Sequence, residues 1–513
     1  MIGKIKSFGI NGVDGYLVDV EADLSTGQTK QFLVGLPDAS VKESSQRVQS
    51  AIRNSNFDYP VGTLVINLAP ADTRKEGPLY DLPSALGILV ATGVIIQPEM
   101  LDDFAFVGEL GLDGTLRRVN GVLPILITAA QTGIKKVLIP QENSLEAAYI
   151  DGVEVYTAKN LASIVSWFNG TNPNGIKQVT KKKFQDAQKD NPYTHDLRFV
   201  KGQFVAKRAL EIAAAGGHNI LLIGPPGSGK TMLAKCFPSI MPDMTFAESL
   251  ATTKIHSIAG TLDHKKGIIA TRPFRTPHHT ASVAALAGGG KNSKPGEISL
   301  AHNGVLFLDE MPEYTRSALE ILRQPLEDNK IIIARAAATV EYPASFTLIA
   351  SMNPCPCGNH GSRTTRCNCK PSAVQKYLSK LSGPLLDRID LHIEVDSVTY
   401  DDLSSKTTSE DSSDVKSRID VAKGVQLERF TDSTEVFCNA KMSDQMTKKY
   451  CNLDLDCEKI LRNAFDKLGL SARAYTRILR VARTIADLEG FEEINPDHIM
   501  EAISYRTLDR RQQ

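Results

Sequence analysis

The segment NILLIGPPGSGKTMLAK, residues 219–235, leaves few ways for the surrounding chain to fold. Ile220 to Ile223 reads as a buried strand, Gly224 to Thr231 as a loop, and the residues beyond as a helix. A phosphate chain needs backbone N–H groups aimed at it with no Cβ in the way. Gly224, Gly227 and Gly229 allow this, with Pro225, Pro226 and Ser228 completing the loop. It also needs a cation, Lys230, and a hydroxyl for Mg2+, Thr231, at a helix N-terminus whose dipole favours anions. A ligand-free Gly-rich turn is the alternative, and the full eight-residue pattern between strand and helix argues against it.

Two more buried runs follow. GVLFLDEMPE ends in Asp309, placed to hold Mg2+ through water, and Glu310, placed to polarise an attacking water. FTLIASMNP ends on Asn353, which suits positioning the same water or sensing a γ-phosphate; after a strand it is equally a turn former. Strands alternating with helices from Arg198 to about residue 400 predict an α/β layer with a parallel sheet.

At 513 residues the chain has room for about three domains. Residues 1–168 mix β-like and helical runs, as in an α+β or α/β domain, and 169–197, rich in Asn, Gly and Lys, reads as a linker. Residues 401–414 hold five acids and seven Ser/Thr, a second linker, and 415–513 read as helical. In SARAYTRILRVARTIADLEG, Tyr475, Ile478, Leu479, Ala482, Ile485 and Ala486 share one helical face. The 59 basic and 59 acidic residues cancel, so a nucleic-acid footprint has to be local. One such tract, 264–294, carries six Lys/Arg, three His and no acid; a solvated loop is the plain reading of the same residues. With no leader-like opening and no run approaching ~20 apolar residues, a cytoplasmic protein with reduced thiols is expected.

Four of the eight cysteines crowd into CPCGNHGSRTTRCNC: Cys355, Cys357, Cys367 and Cys369. Four thiolates suit a closed tetrahedral zinc site, although Cys-x-x-Cys is the commoner spacing. Free thiols and an iron–sulfur centre are the other readings.

The order of these motifs resembles the AAA+ ATPases of the magnesium-chelatase-like branch, whose relatives include replicative helicases. By that resemblance SGPLLDRIDLHIEV makes Arg388 an arginine finger reaching a neighbour's site, and SARAYTRILR makes Arg473 a second sensor. KIIIARAAATVEYPASF predicts a β-hairpin, and hairpins line the pore in similar helicases, which nominates Arg335, Lys291 and Lys294 as DNA contacts. NLAPADTRKEGPLYDLPSALGIL and FVGELGLDGTLRRVNGVLP resemble the Lon-protease domain. The nucleophile and base positions hold Leu79 and Leu123, so peptide hydrolysis is not expected.

A Lon-like domain, an AAA+ core and a helical lid together resemble the ComM/YifB family. The resemblance implies a homo-hexameric, ATP- and Mg2+-dependent motor that migrates DNA branches in recombination or natural transformation; the thiolates themselves, apart from the resemblance, favour a zinc staple for the cysteine insert. On that view the insert keeps a ring or DNA contact in register, so losing Cys355 and Cys357 impairs assembly or DNA coupling more than nucleotide binding. A magnesium-chelatase ATPase subunit and a protein remodeller are the rival readings.

Overall fold

The computed structural model describes residues 2–189, 193–290, 293–334, 339–360, 366–397, 410–433 and 436–506. Strand Ile2–Asn11 alternates buried and exposed side chains and turns at Gly12–Val13 into Asp14–Ser25, paired antiparallel from Ile2↔Asp23 to Asn11↔Asp14. They lie in the middle of an eight-stranded mixed sheet whose one end is strand Lys30–Val34. Helices Asp81–Ala91 and Val122–Gln131, apolar on nearly every face, are buried against it. Leu79 and Leu123, 6% and 1% exposed, lie inside this core, so the two positions aligned with a protease dyad are packing residues.

The segment read as a linker from 169 to 197 is not a free spacer. Lys177–Gln178 adds an antiparallel strand to the N-terminal sheet, and helix Phe184–Lys189 lays Phe184 against Phe246 with ring centroids 5.5 Å apart. Its apolar residues are few, but Ala187 closes a small cluster with Ala148, Tyr149, Ile268 and Ala270, joining the N-terminal domain to the core beyond. Composition misses this because the cluster needs only a handful of apolar side chains.

The central sheet has the strand order Phe274–Arg275, Val305–Leu308, Thr347–Met352, Ile220–Ile223, Leu391–Glu394, all parallel. The last four of these strands are buried along nearly their whole length, which is why they read as unbroken apolar runs. Their carboxyl ends bring Gly224, Asp309 and Asn353 to one edge, where open α/β sheets take ligands. The expected hairpin is present as Lys330–Ala334 paired with Thr339–Pro343. Arg335 and Lys291 lie outside the described residues.

The C-terminal helices begin at Ser412, inside the span read as the second linker, most of which (401–409) lies outside the described residues. Ser412 is buried because its hydroxyl accepts the Leu197 N–H at 2.8 Å and meets the Ser239 hydroxyl at 2.8 Å. Helix Ala472–Glu489 buries Ile478, Leu479, Ala482, Ile485 and Ala486 as its spacing predicts. Tyr475 departs from that expectation: it is 39% exposed, and the smaller Ala474 takes the inward place beside it. No helix among the described residues is long and apolar enough to cross a membrane.

Candidate active site

Lys230 opens helix Lys230–Ile240 and is nearly buried. Its ammonium donates to the carbonyls of Gly224 and Pro225, both at 2.8 Å, and lies 3.4 Å from Asn353 Oδ1. Burial lowers its pKa, and Asp309 and Glu310 oppose that by favouring the cation. Thr231 Oγ1 donates to Asp309 Oδ2 at 3.0 Å, so hydroxyl and carboxylate share one spot at the mouth of the loop. Lys230, Thr231, Asp309 and Asn353, separated by up to 123 positions, are thus brought into one hydrogen-bonded group.

Glu310 follows Asp309 in a left-handed conformation, φ 51° and ψ 47°. This costs a non-glycine residue about 1 kcal/mol or more. Its N–H donates to Asp309 Oδ1 at 3.1 Å and to Ser351 Oγ at 3.2 Å, while the Ser351 hydroxyl also donates to Asp309 Oδ1. Ser351 was not anticipated; the available signal was a hydroxyl facing the Asp309 strand inside an otherwise apolar run. Gln203 was missed as well. Its amide donates to the carbonyls of Ser228 at 3.3 Å and Asp396 at 2.6 Å, from a backbone at φ 58°. A Gly-Gln pair before a helix was the only hint. His279 Nδ1 lies 3.9 Å from Glu310 Oε2, and its ring stands 4.2 Å from that of His278.

The two arginines stand apart from this cluster. Arg388 is 4% exposed and donates to the Pro384 carbonyl and to Glu327 of its own chain. Arg477 pairs with Asp390. Arg473 sits exposed in the first turn of helix Ala472–Glu489. Among the described residues neither Arg388 nor Arg473 bonds to the phosphate-loop group.

Lys294 is exposed, and the basic tract lies against the hairpin: the Tyr342 hydroxyl donates to the Ser293 carbonyl at 2.8 Å. The four cysteine Sγ atoms lie within 4.8 Å of one another. The contacts Cys355–Cys357, Cys355–Cys367 and Cys357–Cys367 are 3.4, 3.7 and 3.6 Å, too long for disulfides, whose sulfurs are about 2.05 Å apart. Backbone N–H groups of Asn359 and Asn368 pull the Cys357 thiol down to about 6. This set suits a metal ion.

Comparison with known proteins extends the picture over the whole chain. A family model described as magnesium chelatase, subunit ChlI, matches residues 196–403; two more, for subunit ChlI of Mg-chelatase and for the ChlI C-terminal region, match 20–143 and 409–506. The chain is 43% identical over 502 residues to competence protein ComM of Haemophilus influenzae, covering 97% of this chain and 96% of that protein. It is 41% identical over 501 residues to the uncharacterized protein YifB of Escherichia coli, with the same coverage. A Lon protease of Acinetobacter baumannii is 27% identical over 177 residues, 32% of this chain and 21% of the protease.

A phosphate loop on a parallel sheet, with an amide at the end of the adjacent strand and an acid at the end of the strand beyond it, defines a magnesium-chelatase-like AAA+ ATPase. Within that class the chain belongs to the ComM/YifB family, and its N-terminal domain is Lon-like.

Proposed function

We propose that this chain is the subunit of a homo-hexameric, ATP-driven motor that migrates DNA branches in recombination or natural transformation, working in the cytoplasm. The observation that carries this is near-full-length similarity to a protein named for competence. A basic tract packed on a β-hairpin supports it further. Gly224 to Thr231 would hold the ATP phosphates and Lys230 would neutralise their charge. Thr231 and Asp309 would hold Mg2+, which offsets charge on the transferring phosphoryl group. Glu310 would orient the attacking water, and Asn353, bonded to Lys230, would sense the γ-phosphate. Arg388 would act on a neighbour's nucleotide only after leaving Glu327, so ring assembly exchanges one acidic partner for a phosphate. Arg473 would close from the lid as second sensor. Lys294, with Arg335 and Lys291, would track the DNA backbone.

Zinc fits the cysteine cluster. Zn–S bonds of about 2.3 Å put four tetrahedral sulfurs about 3.8 Å apart, close to the 3.4 to 3.7 Å contacts here. The rival reading, a chelatase ATPase subunit, draws on the names of the matching family models. The near-full-length similarity to a protein named for competence weighs against it. Protein remodelling is a further rival; proteolysis is not proposed, because Leu79 and Leu123 carry neither nucleophile nor base.

The test is ATP hydrolysis and migration of a four-way DNA junction by wild type and by Glu310→Gln. Wild type should be stimulated by the junction and migrate it. Glu310→Gln should bind ATP, assemble, and hydrolyse at least 100-fold more slowly, within the range general-base removal costs. An ATPase indifferent to branched DNA, with no migration, refutes the DNA assignment, and an unimpaired variant refutes the role of Glu310.

A further inference from the structure

The cysteine knuckle leans on the phosphate loop. Cys355 to Gly358 is a tight turn, closed by the Gly358 N–H on the Cys355 carbonyl at 2.9 Å. Gly358 has φ 80°, and a Cβ there would lie 2.4 Å from Cδ of Pro226, in the middle of the phosphate loop. Only glycine fits, because the Pro226 ring rests directly on the turn's backbone. On the other side of the loop's lysine, Asn353 precedes Cys355 by two residues and accepts from Lys230. Helix Pro371–Leu378 starts two residues after Cys369 and returns buried Tyr377 beside the Asn353 backbone. The four thiols therefore close a clasp that reaches the loop twice, at Pro226 and at Lys230. Elsewhere the loop is more open: a Cβ at Gly227 or Gly229 would meet nothing within 4 Å, and Gln203 reaches the Ser228 carbonyl at 3.3 Å.

We propose that the knuckle and the nucleotide site are thermodynamically coupled, metal in the knuckle tightening nucleotide binding and nucleotide tightening metal binding. This rests on the reading of the four cysteines as a metal site. Metal fixes Cys355 and Cys357, which fixes Gly358, which holds Pro226 and the loop in the conformation that accepts phosphate. Without metal, the turn is held by the Gly358–Cys355 backbone hydrogen bond and by N–H contacts to sulfur alone, and nucleotide has to order the loop as it binds. Coupling between two binding equilibria is reciprocal, so the same factor has to appear in both. The knuckle would thus act on nucleotide affinity directly, rather than chiefly on assembly or DNA coupling.

The experiment uses the full chain. Zinc affinity is measured by competition against a chromophoric chelator, with and without saturating Mg·ADP. Mg·ADP affinity is measured by fluorescence on zinc-loaded and zinc-stripped protein. Both affinities should change by the same factor, about ten-fold, within the usual range for coupled sites. Gly358→Ala keeps all four thiols; it should retain one equivalent of zinc and bind Mg·ADP about ten-fold more weakly. If that variant does not fold, the two wild-type titrations decide alone. One equivalent of zinc whose affinity ignores Mg·ADP overturns the coupling and leaves the metal site standing. Protein that takes up no zinc overturns the metal site and the coupling with it.

Discussion

Ser351 illustrates how much of this site depends on a residue with no chemistry of its own. Its hydroxyl donates to Asp309 while accepting the Glu310 N–H, so one oxygen fixes both the proposed Mg2+ ligand and the strained backbone that aims Glu310. Hydrogen bonds to charged groups are worth about 1.5–3 kcal/mol, and about 1.4 kcal/mol is ten-fold in rate. Ser351→Ala should lower kcat for ATP about ten-fold, with nucleotide affinity changed less than about three-fold, since the phosphate loop is untouched. Steady-state hydrolysis with a parallel nucleotide titration checks this; an equal loss in both would mean that Ser351 supports the fold rather than Glu310. The residues that sequence identifies here, Lys230, Thr231, Asp309, Glu310 and Asn353, sit in a local pattern that chemistry imposes. Ser351 and Gln203 escape because Asp309 lies 42 positions from the one and Ser228 and Asp396 lie 25 and 193 from the other, and a lone Ser or Gln carries no spacing to recognise. Arg388 was legible as a position but not as a conformation, because its pairing with Glu327 is a contact between distant elements.

At the scale of elements, the lid helix Ala472–Glu489 is tied to the central sheet by more than its apolar face. Arg477 projects from it onto Asp390, which immediately precedes strand Leu391–Glu394 and is 5% exposed. Burial alone would raise the Asp390 pKa, yet Arg477, His218 and the Asn219 N–H together hold it well below the usual carboxylate range. Arg477→Met should therefore leave a buried charge unpaired and cost about 3–5 kcal/mol of unfolding free energy. The double change Arg477→Met with Asp390→Asn should recover part of it. Denaturant titrations of the four proteins measure this, and a single variant within about 0.5 kcal/mol of wild type would show the pair to be a surface ornament. The helical period of this segment foretold the helix and most of its buried face. It could not foretell Arg477, since an arginine at that register reads as solvated until a buried acid is placed opposite it.

Over the whole molecule, the N-terminal domain and the ATPase core are joined through helix Phe246–Ala259. The buried Glu146 accepts from the Ser257 hydroxyl, the Gly121 N–H reaches Ser257 Oγ at 3.1 Å, and Arg118 donates to the Leu262 carbonyl at 3.2 Å. Burial raises the Glu146 pKa, so the joint depends on donors that keep this carboxyl satisfied: Ser257, the Leu123 N–H and Asn143. Leu123 places its backbone N–H on the carboxyl that docks the ATPase core. The N-terminal hairpin also leans on the motor's hairpin, where a Cβ at Gly12 would lie 3.1 Å from Val340. The Lon-like domain is in this way fixed to the ATPase core. Ser257→Val removes two of these bonds and should cost about 2–3 kcal/mol at the joint, not in either core. Scanning calorimetry should then resolve separate N-terminal and motor transitions where wild type melts as one. A single transition at the wild-type temperature would assign the joint instead to the apolar cluster of Ala148, Tyr149, Ala187, Ile268 and Ala270.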